Sequence, residues 1–128
     1  MISKIFSLSV ILARPAFFLA LITVTFLSLW PGSASPPTLL WSDKFNHAMA
    51  YFFLTIGLIV GWKFTLKNRL IAIVSLFAWG VVLEIIQGLP LVSRTASGMD
   101  LVANASGILL AMLVGWLFSF WHQRKFEP

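Results

Sequence analysis

Four long apolar runs constrain this chain more than any other feature of its sequence. They extend from Pro15 to Trp30, from Phe45 to Trp62, from Leu70 to Gln87 and from Leu101 to Trp121. Each approaches the ~20 residues that a helix needs to cross a hydrocarbon core of ~30 Å. Hydrophobic residues make up 59% of the 128 residues, which is more apolar surface than a soluble domain of this size can bury. The sequence therefore predicts an all-α integral membrane bundle of four transmembrane helices.

The first fourteen residues differ from the runs that follow. Polar side chains at Ser3, Lys4 and Ser7 share one face of the stretch MISKIFSLSVILAR. Such a segment either lies flat at the membrane interface or lengthens the first helix, with Arg14 reaching the headgroups. We divide the chain into an interfacial segment (1–14), one transmembrane domain (15–121) and a cytoplasmic tail (122–128), which leaves no room for a second domain.

The nine Lys and Arg residues are distributed unequally between the two sides of the predicted bundle. One side carries two of them, Lys44 and Arg94, and the other side carries seven, namely Lys4, Arg14, Lys63, Lys67, Arg69, Arg124 and Lys125. Because cytoplasmic flanks of membrane helices are enriched in Lys and Arg, both termini are predicted to be cytoplasmic. The net charge of +5 does not indicate nucleic-acid binding, since the basic residues lie at the ends of apolar runs and form no patch.

Most strongly polar residues of the predicted helices and of their outer loops converge at the outer end of the bundle. We predict a polar pocket formed by Asp43, Lys44, His47, Tyr51, Glu84, Gln87, Arg94, Asp100 and Asn104. Three of these residues are acidic, and an acidic side chain within a membrane helix needs a partner. For Glu84 we expect that partner to be Arg94, Lys44 or His47. Ionisable residues in such a position are a functional-site hypothesis by default.

Purely structural roles are the alternative for the same residues. Asp43 and Asp100 precede apolar runs, where a carboxylate caps a helix and interacts favourably with its dipole. Asn104 can join two helices by a hydrogen bond, and Tyr51 can anchor a helix at the interface.

Small residues predict where helices approach one another closely. Gly57 and Gly61 lie four residues apart on the second helix, and Gly107, Ala111 and Gly115 make a stripe along the fourth. We expect both faces to pack against other helices and to carry no chemistry.

Three blocks of the sequence resemble the VanZ-like family of small bacterial membrane proteins. They read DKFNHAMAY, EIIQ and RTASGMDLVANASG and span about residues 40 to 120. The family pattern places its polar positions at the nine pocket residues above and a glycine at Gly107. The resemblance implies a multi-pass protein of the bacterial cytoplasmic (inner) membrane and cell envelope, from a family related to antibiotic resistance, and it implies no established reaction.

Two functions fit this sequence, and we favour the first. A binding or accessory factor would recognise an anionic headgroup or envelope precursor at the outer face, with Arg94, Lys44 and His47 as donors. Alternatively, a membrane-embedded hydrolase or transferase would act on a lipid-linked substrate, with His47 and a nearby carboxylate as acid and base. A proton-relay or transport role is disfavoured, because the cytoplasmic halves of the helices are almost wholly apolar.

The expected partners are the lipid bilayer and a headgroup or cell-wall precursor, and the sequence leaves homo-oligomerisation open. No cofactor and no nucleic acid are expected. The chain has no Cys, which excludes thiolate ligands and Cys nucleophiles. Asp, Glu and His together could hold a divalent metal, but no metal-ligand spacing such as H-E-x-x-H is present, so no metal site is predicted.

Overall fold

The computed structural model describes residues 2–30, 40–92 and 95–126, which form four α-helices. They are α1 (Ile2–Leu29), α2 (Leu40–Gly61), α3 (Leu66–Gln87) and α4 (Gly98–Phe126). Within these ranges there is no β-strand, so the all-α prediction is confirmed.

Three of the four helices are long and apolar enough to cross a membrane. The qualifying segments are Val10–Leu29, Leu66–Gln87 and Gly98–Arg124. α2 is long enough, but polar residues at its beginning reduce its hydropathy. The structure therefore supports a multi-pass membrane protein with at least three candidate spans.

Helix α1 continues without a break through Pro15. Of the two alternatives for the N-terminal segment, the structure has the longer helix, which at ~1.5 Å per residue measures ~42 Å. Arg14 makes two contacts with the end of α2, and its expected reach to the headgroups stays a prediction. Its Nε donates a hydrogen bond of 2.8 Å to the carbonyl oxygen of Gly61, and its guanidinium lies 5.6 Å from the centre of the Trp62 ring. Arg14 thus satisfies a carbonyl at the carboxyl end of α2, which a helix cannot satisfy itself.

The small residues of α2 and α4 lie at helix–helix contacts, which confirms their predicted role. A Cβ added at Gly57 would lie 3.5 Å from Cβ of Phe17 on α1, and one at Gly115 would lie 3.5 Å from Cδ1 of Ile59. Ala111 is fully buried. Close approach of backbones in lipid gains van der Waals contact along the helices.

Pairs of contacting residues establish the direction of each helix. Gly57 of α2 contacts Phe17 of α1, whereas Gly61, further along α2, contacts the earlier residue Arg14. Helices α1 and α2 are therefore antiparallel. Helices α2 and α4 run parallel, since His47 lies beside Asn104 and Ile59 beside Gly115. Helices α1 and α3 also run parallel. Hence α2 and α4 begin where α1 and α3 end, and we call this end of the bundle the polar end.

Away from the polar end, the buried interior of the bundle is apolar apart from Thr55, and much of the surface is apolar too. Buried side chains such as Leu54, Leu58 and Leu76 form the core, while large apolar side chains such as Leu19 and Leu109 are about two-thirds exposed. An apolar core with an equally apolar exterior is the pattern that a lipid environment favours over water.

Candidate functional site

The polar end collects side chains from three helices and one loop. Asp43 lies in the first turn of α2 and Asp100 in the first turn of α4. A carboxylate is favourable in a first turn because it faces the positive end of the helix dipole. Since α2 and α4 run parallel, their first turns lie side by side. We use the term polar cluster for Asp43, Lys44, His47, Glu84, Ser97, Asp100 and Asn104.

Lys44 is the centre of the polar cluster. Its ammonium forms a salt bridge with Asp100, lies 3.4 Å from Oδ2 of Asp43 and donates to Oγ of Ser97 at 3.3 Å. The side chain of Lys44 is 22% exposed and that of Asp100 is 7% exposed. The two carboxylates compensate the cost of removing the ammonium from water, as a partly buried ion pair requires.

His47 lies one turn further along α2 and contacts the same helix α4. Its Nδ1 is 3.1 Å from Oδ1 of Asn104, and its Nε2 is 3.8 Å from Oδ2 of Asp100. The spacing of three residues from Lys44 to His47 and of four from Asp100 to Asn104 gives each pair one helix face. This is why two consecutive contacts between the parallel helices are polar.

Glu84 has a partner that the sequence analysis did not predict. Its side chain is buried, and Oε2 accepts a hydrogen bond of 2.8 Å from the backbone N–H of Ser97. Among the described residues neither Lys44 nor His47 forms a salt bridge with Glu84. Arg94, the third expected partner, lies outside the described residues, so its pairing with Glu84 stays a prediction. Glu84 instead attaches the segment that precedes α4 to the end of α3.

Tyr51 and Gln87 are both buried, and neither contacts Lys44 in the described part of the chain. The Tyr51 hydroxyl and the Asn104 amide pack against Gly80, where an added Cβ would lie 2.6 Å and 3.0 Å from them. Nε2 of Gln87 donates a hydrogen bond of 2.7 Å to the carbonyl oxygen of Ser28. Tyr51 therefore packs beside Asn104 against α3, and Gln87 joins α3 to α1.

The structure thus places the predicted pocket residues in three groups. Asp43, Lys44, His47, Asp100 and Asn104 form one connected network. Glu84 joins that network through Ser97, whereas Tyr51 and Gln87 serve the packing around it. Arg94 lies outside the described residues.

Ser97 and Gly80 are site residues that sequence reasoning missed. Ser97 directly precedes α4, and its carbonyl oxygen accepts the N–H of Asp100 at 2.9 Å. A Ser before an apolar helix is a recognised start signal, so this residue was detectable. Gly80 lies in mid-helix, and its role depends on Tyr51 and Asn104 of other helices, for which one sequence carries no signal.

The charge balance of the polar cluster limits its chemistry. Three carboxylates, from Asp43, Glu84 and Asp100, stand against the one ammonium of Lys44. Ser97 and Lys44 are close enough to suggest a nucleophile and its base, but the two carboxylates beside Lys44 favour the protonated ammonium, which cannot accept a proton. The described cluster is therefore better suited to binding a polar ligand than to nucleophilic catalysis.

An apolar groove lies between α1 and α3 in the half of the bundle next to the polar end. It has a volume of about 600 Å³ and is lined by side chains such as Leu21, Phe26 and Trp79. Nε1 of Trp79 donates to Oγ1 of Thr25 at 3.0 Å and joins the two walls. Its lining suits a hydrocarbon chain.

Comparison with known proteins gives no match to a family model, to a curated protein or to a solved structure.

Proposed function

We propose that this chain is a VanZ-like integral membrane protein that binds the polar head of a lipid or lipid-linked envelope precursor. The observation that carries the proposal is the connected polar cluster at one end of a bundle whose remaining surface is largely apolar. Caps and interhelical hydrogen bonds alone do not require a Lys, a His and three carboxylates in one place. Ionisable side chains that meet at one end of a bundle of membrane helices are a functional-site hypothesis by default.

The proposed topology has four transmembrane helices with both termini in the cytoplasm. α2 completes the set, because it packs between α1 and α4, both of which are long and apolar enough to span. Its polar residues lie at its beginning, at the membrane surface, and the helix is apolar from Met49 onward apart from Tyr51 and Thr55. The seven-to-two distribution of Lys and Arg supports an outward-facing polar end.

The charges of the cluster refine the class of ligand. An anion alone would meet three carboxylates, whereas Lys44 and His47 are the only basic side chains of the polar cluster. A headgroup that combines a phosphate with hydroxyl or ammonium groups can use both kinds of partner. The proposed ligand is therefore an anionic headgroup that also carries hydrogen-bond donors, with its hydrocarbon chain in the groove between α1 and α3.

A membrane-embedded hydrolase or transferase is the second candidate. The observation in its favour is His47, whose ring is oriented by Asn104 and whose Nε2 points toward Asp100. When Nδ1 carries the proton of a neutral ring, Nε2 retains the lone pair that a general base needs. Binding is preferred because no activated nucleophile lies beside His47 among the described residues.

Lipid retention tests the proposed binding. Protein purified in mild detergent is examined by native mass spectrometry for bound lipid, with Lys44→Gln as the test variant and Lys63→Gln as the control at the opposite end of α2. When equal amounts of folded protein are compared, we expect wild type and Lys63→Gln to retain a phosphate-containing lipid and Lys44→Gln to lose it. Equal retention by all three proteins would contradict a headgroup site at Lys44. Turnover of the retained lipid would favour the enzyme.

A further inference from the structure

We propose that Asp43, His47 and Asp100 form a binding site for one divalent first-row transition-metal cation. Each residue offers one ligand atom, and these atoms all lie within 4.8 Å of one another. Adjacent ligands of an ion bound at ~2.0–2.2 Å lie roughly 3.0–3.6 Å apart, so the three ligand atoms must close by about 1–2 Å at most. One imidazole with two carboxylates is a ligand set suited to Mn²⁺, Fe²⁺ or Zn²⁺.

The orientation of the His47 ring supports the site independently. Nδ1 faces the amide oxygen of Asn104, an acceptor, so the proton of a neutral ring resides on Nδ1. Nε2 then presents its lone pair to Oδ2 of Asp100 at 3.8 Å. Two acceptors that face each other across a largely buried gap repel each other unless a cation or a proton lies between them.

Asn104 fits the role of the outer partner that metal-binding histidines usually have. A hydrogen bond from the second ring nitrogen to a carbonyl or carboxylate determines which tautomer is present and how the ring is aimed. Asn104 is 2% exposed and packs against Gly80, so its position is well defined. The site therefore has oriented ligands, beyond a simple cluster of acidic groups.

Lys44 has a defined role in this proposal, which is to compete with the metal. Its ammonium contacts Asp100 and Asp43, two of the three ligands. A divalent cation bound by these ligands must displace the Lys44 ammonium from them. The displaced ammonium can keep its hydrogen bond to Oγ of Ser97, which lies 3.3 Å away. Removing the ammonium should consequently strengthen metal binding. If Lys44 only stabilised the fold, its removal would not increase the affinity for metal.

The site goes beyond the proposed function and does not depend on it, because the probe is the metal alone. Tag-free protein in detergent is titrated with Mn²⁺, and free Mn²⁺ is measured by electron paramagnetic resonance. We expect one saturable site per chain, and affinity reduced by more than about tenfold in His47→Ala and in Asp43→Asn. Lys44→Met should bind about tenfold more tightly than wild type, since a competing charge is removed.

His122→Ala is the matched control, since His122 is the only other histidine and lies near the end of α4 remote from the polar end. It should bind Mn²⁺ like wild type. Thermal unfolding verifies that each variant is folded. If His47→Ala does not fold, Asp43→Asn alone tests the ligand set, because the Asp43 side chain is more exposed than that of His47. The proposal is wrong if wild type and Lys44→Met show no saturable binding, or if Asp43→Asn binds as wild type does.

Discussion

Gly107 of α4 lies directly against the carbonyl group of Ala48 on α2. A Cβ at position 107 would lie 2.9 Å from the carbonyl carbon of Ala48 and 3.0 Å from the backbone nitrogen of Phe52. Real Cβ atoms do not approach backbone this closely, and a backbone cannot move aside as a flexible side chain can. This contact brings the first turns of α2 and α4 together, and the polar cluster lies between them.

Gly107→Ala should accordingly separate α2 from α4 and destabilise the protein. Overpacking in a close contact costs about 1–3 kcal/mol, which thermal unfolding in detergent can measure. Gly98→Ala is the matched control on the same helix, because nothing lies within 4 Å of a Cβ added there. Equal stability of the two variants would mean that α2 and α4 are not held this closely.

Glu84→Ala should release the segment before α4. The half-buried N–H of Ser97 would lose its acceptor, which costs at most about 1–3 kcal/mol, the range for a fully buried group. Glu84→Gln retains an acceptor oxygen, so it should recover most of the lost stability. Hydrogen exchange at Ser97 measures the contact directly, and slow exchange in Glu84→Ala would contradict it.

Lys44 and Asp100 should be energetically coupled. Lys44→Met leaves a buried carboxylate with less compensation, and Asp100→Asn leaves the ammonium with Asp43 alone, so each single change should destabilise the protein. The double variant should be less destabilised than the sum of the two. A coupling of about 1–3 kcal/mol is expected from the double-mutant cycle, and strict additivity would mean that the pair contributes nothing.

The proposed topology can be tested with single cysteines, because the chain has no native Cys. Leu91, which is 90% exposed, lies beyond the end of α3 at the polar end. Asn68 is exposed at the beginning of α3, at the opposite end. In intact cells an impermeant thiol reagent should label Leu91→Cys and spare Asn68→Cys. Labelling of Asn68→Cys alone would reverse the orientation.

Much of the fold follows from local patterns in the sequence. Apolar runs of about transmembrane length, separated by segments that contain either Pro and Gly or several basic residues, predict helices regardless of what those helices contact. Alternating direction then places the polar residues of α2, α3 and α4 at one end, as the contact between His47 and Asn104 confirms. The stripe of Gly107, Ala111 and Gly115 was readable for the same reason, since its spacing lies within one helix.

The sequence did not predict which group each polar side chain contacts. Spacing puts Glu84 and Gln87 on one face of α3, yet Glu84 binds the N–H of Ser97 and Gln87 binds the carbonyl oxygen of Ser28. Those choices depend on how each helix is rotated about its axis and on how closely its neighbours approach. Rotation and distance result from the packing of all four helices together, for example of Gly80 against Tyr51. Such contacts join residues far apart in the chain, so no local pattern encodes them.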